Sequence, residues 1–263
     1  VASLASRPPA ASVIAQVLRA QSTAPRRSRV DRLFGRSPLA PDADSWFRGA
    51  LGELAVAQRL AGLGPEWRVI HAVPVGTRGA DIDHLVIGPT GVFTVNTKHH
   101  AGRSVWVGER RVMVDGQRKD HLRNAAHEAA RASRRLSAAT GVAVDVAPLV
   151  VIVGASRLTA NARSAQVVVL SSGSVAGWLR SRPWFLPPES VDSIAAAASD
   201  LATWNAAPAP EPDLAAFADL REQIGRARFR RRVWTGGLLV GLVGVTMTAP
   251  LWVGTVLAGT VIR

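Results

Sequence analysis

From Asp44 to Trp204 the apolar positions change rhythm several times, and each change marks an element. Phe47, Leu51, Leu54, Ala55 and Ala57 to Leu60 recur at spacings of three and four behind Asp44 or Ser45. That pattern predicts a capped helix over Asp44 to Leu60, stopped by Gly62 and Gly64. Trp67 to Val73 and Asp81 to Ile87 are rich in β-branched residues and read as strands. Gly88-Pro89-Thr90-Gly91 is a turn sequence, so Val92 to Thr97 should return as the hairpin partner of the second strand. Val105 to Val107 and Arg111 to Val114 make a second hairpin across Gly108-Glu109-Arg110. Helical spacing then resumes over Lys119 to Ala139. Apolar strands follow at Ala147 to Val153 and Gln166 to Leu170, with covering helices at Val175 to Arg180 and Ser190 to Trp204. Helix, hairpins, helix, strand is the order of an α/β fold.

The two ends have other patterns. Residues 1–43 carry Pro8, Pro9, Pro25, Pro38 and Pro41 among Ser, Ala and Arg without sustained periodicity, which predicts a mostly disordered arm. A short amphipathic helix over Ser12 to Arg19 is compatible with it, and an Arg-rich transit peptide is the alternative reading. At the other end Val233 to Ile262 contains no charged residue, long enough to cross a hydrocarbon core of about 30 Å. We read residues 233–262 as a transmembrane helix, kinked or re-entrant at Pro250. Residues 206–232 join it to the domain through Pro208, Pro210 and Pro212 and a short basic helix. Arg226, Arg228, Arg230, Arg231 and Arg232 precede the apolar stretch and only Arg263 follows it. This predicts a single-pass membrane protein with its N-terminal domain, residues 44–205, in the cytoplasm.

Composition then excludes several chemistries. The 263-residue chain has no cysteine, so disulfide frameworks, Cys-ligated zinc or iron–sulfur sites and thiol nucleophiles drop out. Thirty-two Lys and Arg against 19 Asp and Glu give a net charge of +13. The excess is spread along the chain: 1–43 has seven arginines against two acids, whereas 44–205 has 18 basic and 13 acidic residues. The basic character therefore speaks for a membrane address as much as for nucleic acid. Walker-type, dinucleotide-binding, HExxH and SxxK motifs are absent from the sequence.

The chemistry-bearing cluster is Ala80-Asp81-Ile82-Asp83-His84 on one strand and Val95-Asn96-Thr97-Lys98-His99-His100 on its hairpin partner. With the turn at Pro89 and Thr90, Asp83 and Lys98 approach each other, and Asp81 shares a strand face with Asp83. Clustered carboxylates resist joint ionisation unless a cation compensates them, and Mg²⁺ favours such oxygen ligands. A plain strand-end salt bridge is the alternative.

The run Arg48-Gly49-Ala50-Leu51-Gly52-Glu53, then Asp81 through Phe93, then Thr97-Lys98, resembles the nuclease-related domain (NERD) family, an outlying branch of the PD-(D/E)xK nuclease superfamily. The resemblance covers about Asp44 to Leu170. It implies a restriction-endonuclease-like α/β core: helix, mixed β-sheet with antiparallel hairpins, helix and strand, plus the C-terminal transmembrane helix. It also implies a Mg²⁺ or Mn²⁺ site with Glu53 as the helix acid, Asp83 as the metal-binding aspartate and Lys98 as the motif lysine. Asn96 stands where the superfamily has Glu or Asp, which lowers the negative charge available to a metal; Asp81 is the candidate substitute. The implied function is Mg-dependent phosphodiester hydrolysis of DNA or RNA by a membrane-anchored protein. The alternative is a catalytically impaired domain that binds nucleic acid or a protein partner at the membrane. A purely structural module would leave the Asp83/Lys98 pairing unexplained.

Lys119, Arg123, His127, Arg131 and Arg134 fall at spacings of three and four, a basic stripe suited to a phosphate backbone or to a solvated helix face. His84, His99 and His100 flank the cluster as candidate acids, bases or phosphate contacts, with ordinary polar histidines as the alternative.

Overall fold

The computed structural model describes residues 3–25, 27–75, 81–109, 111–160, 166–205 and 211–258, the side chains of the last helix as far as Gly236. In chain order the elements are α1 (Ala11–Ser22), α2 (Arg29–Leu33), α3 (Pro41–Leu60), β1 (Arg68–Pro74), β2 (Asp81–Gly88), β3 (Gly91–His99), β4 (Ser104–Val107), β5 (Val112–Val114) and β6 (Gln117–Lys119). Then come α4 (His121–Thr140), β7 (Val146–Val153), β8 (Arg157–Ala160), β9 (Val168–Ser171), α5 (Val175–Arg180), α6 (Pro188–Ser199), a 3-10 turn (Leu201–Trp204) and α7 (Leu214–Ala258). The fold is mixed α/β, with seven α-helices among the described residues.

The chain divides into two compact units, one of Val1–Val17 with Ala43–Asp213, the other of Leu18–Asp42 with Leu214–Arg263. The first is built on a five-stranded sheet of order β1-β2-β3-β7-β9. β1, β2 and β3 are antiparallel, and β7 joins β3 in parallel, as β9 joins β7. The predicted turn is in place, with Gly88 paired to Gly91 across Pro89 and Thr90. One face of the sheet packs Ile70, Ile82, Leu85 and Ile87 with Ala132 and Leu136 of α4 and Ile194 of α6. The other packs Val86, Phe93, Val95 and Leu149 with Val56 and Leu60 of α3 and Leu179 of α5. Burying each such aliphatic side chain contributes about 1.5–3 kcal/mol, which is what makes the sheet a rigid support for residues at its edge.

Several expectations change here. Val105 to Val107 and the strand after it do form an antiparallel pair, but they belong to a separate four-stranded sheet, β6-β5-β4-β8. The further strands of that sheet, three-residue β6 and the parallel partner β8, are too short and too polar to announce themselves. The turn residue Arg110 lies outside the described residues. Helix α4 begins at His121, so Lys119 is the end of strand β6 and not the first turn of the helix. Residues 1–43, expected as a mostly disordered arm, hold α1, α2 and the start of α3. Ile14 and Val17 of α1 and Leu4 before it are buried, and Leu4 N–H bonds the Ser199 carbonyl at 2.8 Å. The short helix compatible with Ser12 to Arg19 is present as α1; what the sparse apolar residues and prolines did not announce is α2 and the burial of Leu4 and α1.

In the second unit α2 is closed by a capping box between Ser28 and Asp31. Gln21 ties the following turn back, donating to the Pro38 carbonyl at 2.8 Å and accepting from Ala40 N–H at 2.9 Å. Helix α7 runs without interruption from Leu214 to Ala258, through Pro250. Among the described residues, no helix is long and apolar enough to cross a membrane. Most of the expected span at 233–262 lies beyond Gly236, where side chains are not described, and residues 259–263 and most of the Pro-rich linker lie outside the described residues altogether.

Candidate functional site

The site arises where β2 and β3 part. Their ladder begins at Gly88↔Gly91 and its last pair is His84↔Val95, whereas β3 continues to pair with β7 as far as His99↔Val153. Past the last pair, Thr97 N–H is taken by the Asp83 carboxylate at 2.6 Å. A side chain thus replaces the backbone acceptor that a continued ladder would have supplied, and the strand ends open. The side-chain alternation also slips here: Ile82 shares a cluster with Leu85 and Ile87, and Ile70 with Val73. Ala72, whose neighbours pair with His84 and Ile82, carries the slip with φ +49°, a left-handed conformation that costs a non-glycine residue about 1–3 kcal/mol. Asp83 lies opposite Ala72, between the pairs His71↔His84 and Val73↔Ile82, at the slip itself.

Helix α3 brings in Glu53. Its approach depends on Gly52, where a Cβ atom would lie 3.1 Å from His99 Cβ and 3.3 Å from Thr97 Cγ2. A larger residue would push the helix off β3 by a few tenths of an ångström. Glu53 is buried, and its Oε2 has no hydrogen-bond partner. Glu53, Asp83, Lys98, His99, His100 and Lys119 line one cavity of about 630 Å³. Asp81 does not line it; it takes a hydrogen bond from Ser12 and is compensated by Arg7.

Glu128, on the half-buried side of α4, is the acid that the sequence reading missed. It accepts a hydrogen bond from the Asn96 amide. An amide that donates to Glu128 presents its oxygen elsewhere, and Asn96 Oδ1 is buried without a partner. The signal in the sequence was hidden inside the basic stripe, one residue after His127. Of that stripe, Lys119 reaches the cavity, while Arg123, His127, Arg131 and Arg134 lie exposed on α4. Arg123 pairs with Asp120 at 3.1 Å, and Arg131 donates to the Val75 carbonyl at 3.4 Å.

The electrostatics are those of carboxyls crowded around one lysine. Burial, then repulsion from Asp83 and Asp81, pushes the Glu53 carboxyl well above the ordinary range, with Lys98 opposing. Burial raises Asp83 to about 6, against the pull of Lys98 and the Thr97 N–H. Burial and Asp83 raise Glu128 to about 7, with Lys98 and Asn96 opposing. Asp81 is raised chiefly by burial, with Ser12 and Arg7 opposing.

The three flanking histidines separate. His84 is fully buried, facing His71 at 2.9 Å between their Nδ1 atoms, and burial holds it neutral far below its ordinary value. It supports the sheet behind Asp83. His99 and His100 line the cavity, and His100 meets His121 at 3.2 Å, where burial and Lys98 push His121 down to about 4.

Among the described residues no group of three or more His, Cys, Asp or Glu side chains is arranged as a ready metal-binding set. What is present is three carboxylates in the cavity, Asp44 paired with Arg48 and Glu53 and Asp83 beside Lys98, with an orphaned oxygen on Glu53 and another on the neighbouring Asn96. Those donors fit Mg²⁺, which keeps several waters and binds through one or two carboxylates.

Residues 48–153 match the family model of the nuclease-related domain (NERD). That stretch contains Glu53, Asp83, Asn96, Lys98 and Glu128. An uncharacterised protein of Bacillus anthracis is 43% identical to this chain over 60 residues, covering 21% of this chain and 28% of the relative. The chain thus spans little more than a quarter of that relative's length. No solved structure matches. The family match suggests a nuclease-related function for this segment.

Proposed function

We propose that the first unit is a Mg²⁺-dependent nuclease domain of the PD-(D/E)xK type with a restriction-endonuclease-like core, hydrolysing phosphodiester bonds in DNA or RNA. The observation that carries this is the convergence of Glu53, Asp83 and Lys98 on one cavity, with a buried Glu53 oxygen lacking any partner. Glu53 and Asp83 would hold the metal, with the Asn96 oxygen as a further neutral donor. When bound, the ion supplies Lewis-acid polarisation of the scissile phosphate. Lys98 orients the attacking water and offsets charge developing on the phosphate oxygens. Glu128 keeps the Asn96 amide in the orientation that leaves its oxygen free, and adds negative charge where Asn96 has none. Lys119 and the exposed stripe Arg123, His127, Arg131 and Arg134 supply phosphate-backbone contacts.

The same reading keeps the protein at a membrane. From Val233 to Ala258 helix α7 spans about 39 Å at the standard helical rise, and the sequence carries no charge there. The five arginines before it favour a cytoplasmic nuclease domain.

A binding-only domain is the second reading, favoured by Asn96, which puts a neutral amide where the superfamily has Glu or Asp. Oligonucleotide cleavage by the full chain in Mg²⁺, beside Asp83→Ala and Lys98→Ala, separates the two. Cleavage lost in both variants supports the nuclease. Binding without cleavage in the wild type, with cleavage gained by Asn96→Glu, supports the impaired domain. Cleavage that survives both substitutions sinks the assigned site.

A further inference from the structure

The second unit contains a basic cavity that the proposed nuclease site does not use. It measures about 670 Å³ and is lined by Arg27 and Arg32 on one side and by Arg226 and Arg230 of α7 on the other, with Gln21 and Gln223. Arg27 is half-buried, its guanidinium held by Gln223 Oε1 at 3.0 Å and by the Arg36 carbonyl at 3.1 Å. Arg230 donates to the Arg32 carbonyl at 2.8 Å. Among the described ion pairs only Arg226 of the four meets a carboxylate, Glu222. Asp31 is engaged by Arg36 at 3.3 Å and by the capping box of α2.

This arrangement is built, not incidental. Gly35 is buried with φ +70°, and a Cβ atom there would lie 2.4 Å from the Ala227 carbonyl oxygen and 2.6 Å from Arg231 N. Only glycine lets the turn after α2 rest directly on the backbone of α7. Trp234 Nε1 donates to the Leu33 carbonyl at 2.9 Å, and its ring meets Phe34 at 5.0 Å. Gln223, Ala227, Arg230 and Trp234, at spacings of three and four, thus pin the arm along one stripe of α7. Guanidinium groups keep their charge, so Arg27, Arg32 and Arg230, which meet no carboxylate among the described ion pairs, leave a positive surplus that an anion would offset, and their planar forks suit phosphate oxygens.

The surroundings decide which phosphate. Leu33, Phe34, Phe229, Val233 and Trp234 are all exposed beside the arginines. Rings beside guanidiniums also suit single-stranded bases, but the aliphatic Leu33 and Val233 among them and the uncharged stretch after Arg232 favour a headgroup region, where rings and arginines sit together. We propose that this cavity binds the phosphate of an anionic phospholipid headgroup, clamping the arm and the start of α7 to the membrane surface. The inference rests on the membrane reading given above.

The test is calorimetric titration of the full chain, held in neutral detergent, with short-chain phosphatidylglycerol and with the matching phosphatidylcholine. Saturable binding of phosphatidylglycerol, at least about tenfold tighter than phosphatidylcholine, is expected. Arg27→Gln with Arg230→Gln should weaken it about 30-fold. Gly35→Ala, which removes no charge, should also weaken it. Arg228→Gln with Arg232→Gln removes the same charge away from the cavity lining and should cost far less. Equal binding of the two lipids overturns the proposal, as does equal loss in both arginine pairs with Gly35→Ala unaffected. Displacement by inorganic phosphate at comparable concentration assigns the cavity to a soluble anion and also overturns it. Alkaline carbonate extraction from phosphatidylcholine vesicles tests the anchor separately: a chain that washes off sinks the anchor and the headgroup with it. A chain retained there but showing no lipid preference sinks the cavity site alone.

Discussion

The buried carboxyl cluster of the first unit and the arginine cavity of the second solve one electrostatic problem in opposite ways. Around Lys98 the acids Glu53, Asp83, Asp81 and Glu128 are each shifted toward the neutral form, first by burial and, for Glu53, Asp83 and Glu128, also by a neighbouring aspartate. Carboxyls can escape repulsion by taking up protons, so their crowding is written into pH dependence. Arginines have no such escape, and the fold instead holds Arg27, Arg32, Arg226 and Arg230 together with a glycine contact and a tryptophan hydrogen bond. The proposed partners differ accordingly: a cation at the buried carboxyls Glu53 and Asp83, inside a rim that also carries Arg48, Lys98, Arg103 and Lys119, and a phosphate anion at the arginines of the second unit.

The sharpest way to break this contrast is at Asp83 and Lys98. Alanine at either should lower oligonucleotide cleavage by a factor of about 10²–10³ or more, read from initial rates, and should leave phosphatidylglycerol binding unchanged. Chelation of divalent ions should abolish cleavage and likewise spare lipid binding. Next in size is Glu128→Gln, expected to weaken Mn²⁺ binding and cleavage about 10- to 100-fold, because it removes the charge behind Asn96 without removing a cavity carboxylate. A variant with unchanged Mn²⁺ affinity would show that Glu128 is only a packing residue.

Smaller still is the effect of pH on apo stability. Asp83 at about 6 and Glu128 at about 7 lie above their ordinary values of 3.8 and 4.5. The folded state therefore binds more protons than the unfolded state between those limits, and stability falls as pH rises. Their contribution is fully present below about pH 4 and lost as pH passes through 6 to 7. The melting temperature without divalent ions should drop from pH 5 to pH 8, and Mg²⁺ should restore more at pH 8 than at pH 5. A flat or rising profile would contradict the crowding. The smallest effect expected is that of Gly52→Ala, a shift of α3 off His99 and Thr97 that reduces cleavage severalfold with little change in melting temperature.

The parts of this fold that were legible are those with strong local patterning. The hairpin turn at Pro89 and Thr90, the β2–β3 pairing, the helix carrying Glu53 and the apolar strand β7 all follow from spacing and turn chemistry. Asp83 and Lys98 were expected near one another and line one cavity, although β2 and β3 part before them and the hairpin ladder does not itself pair them. Glu128 was not, since its relation to Asn96 spans 32 positions and depends on how α4 crosses the sheet. The slip at Ala72 and the seating of residues 29–35 were hidden for a related reason: Ala72 takes φ +49° inside the paired strands β1 and β2, and the turn after α2 rests through Gly35 on α7, neither of which local spacing announces.

The most direct test of the central claim is the cleavage rate of a labelled oligonucleotide by the full chain in Mg²⁺, measured for wild type and for Asp83→Ala side by side. The account predicts metal-dependent cutting by the wild type and none above background in the variant. Equal cutting by both, or no cutting by a wild type that is folded and binds Mg²⁺, would contradict it.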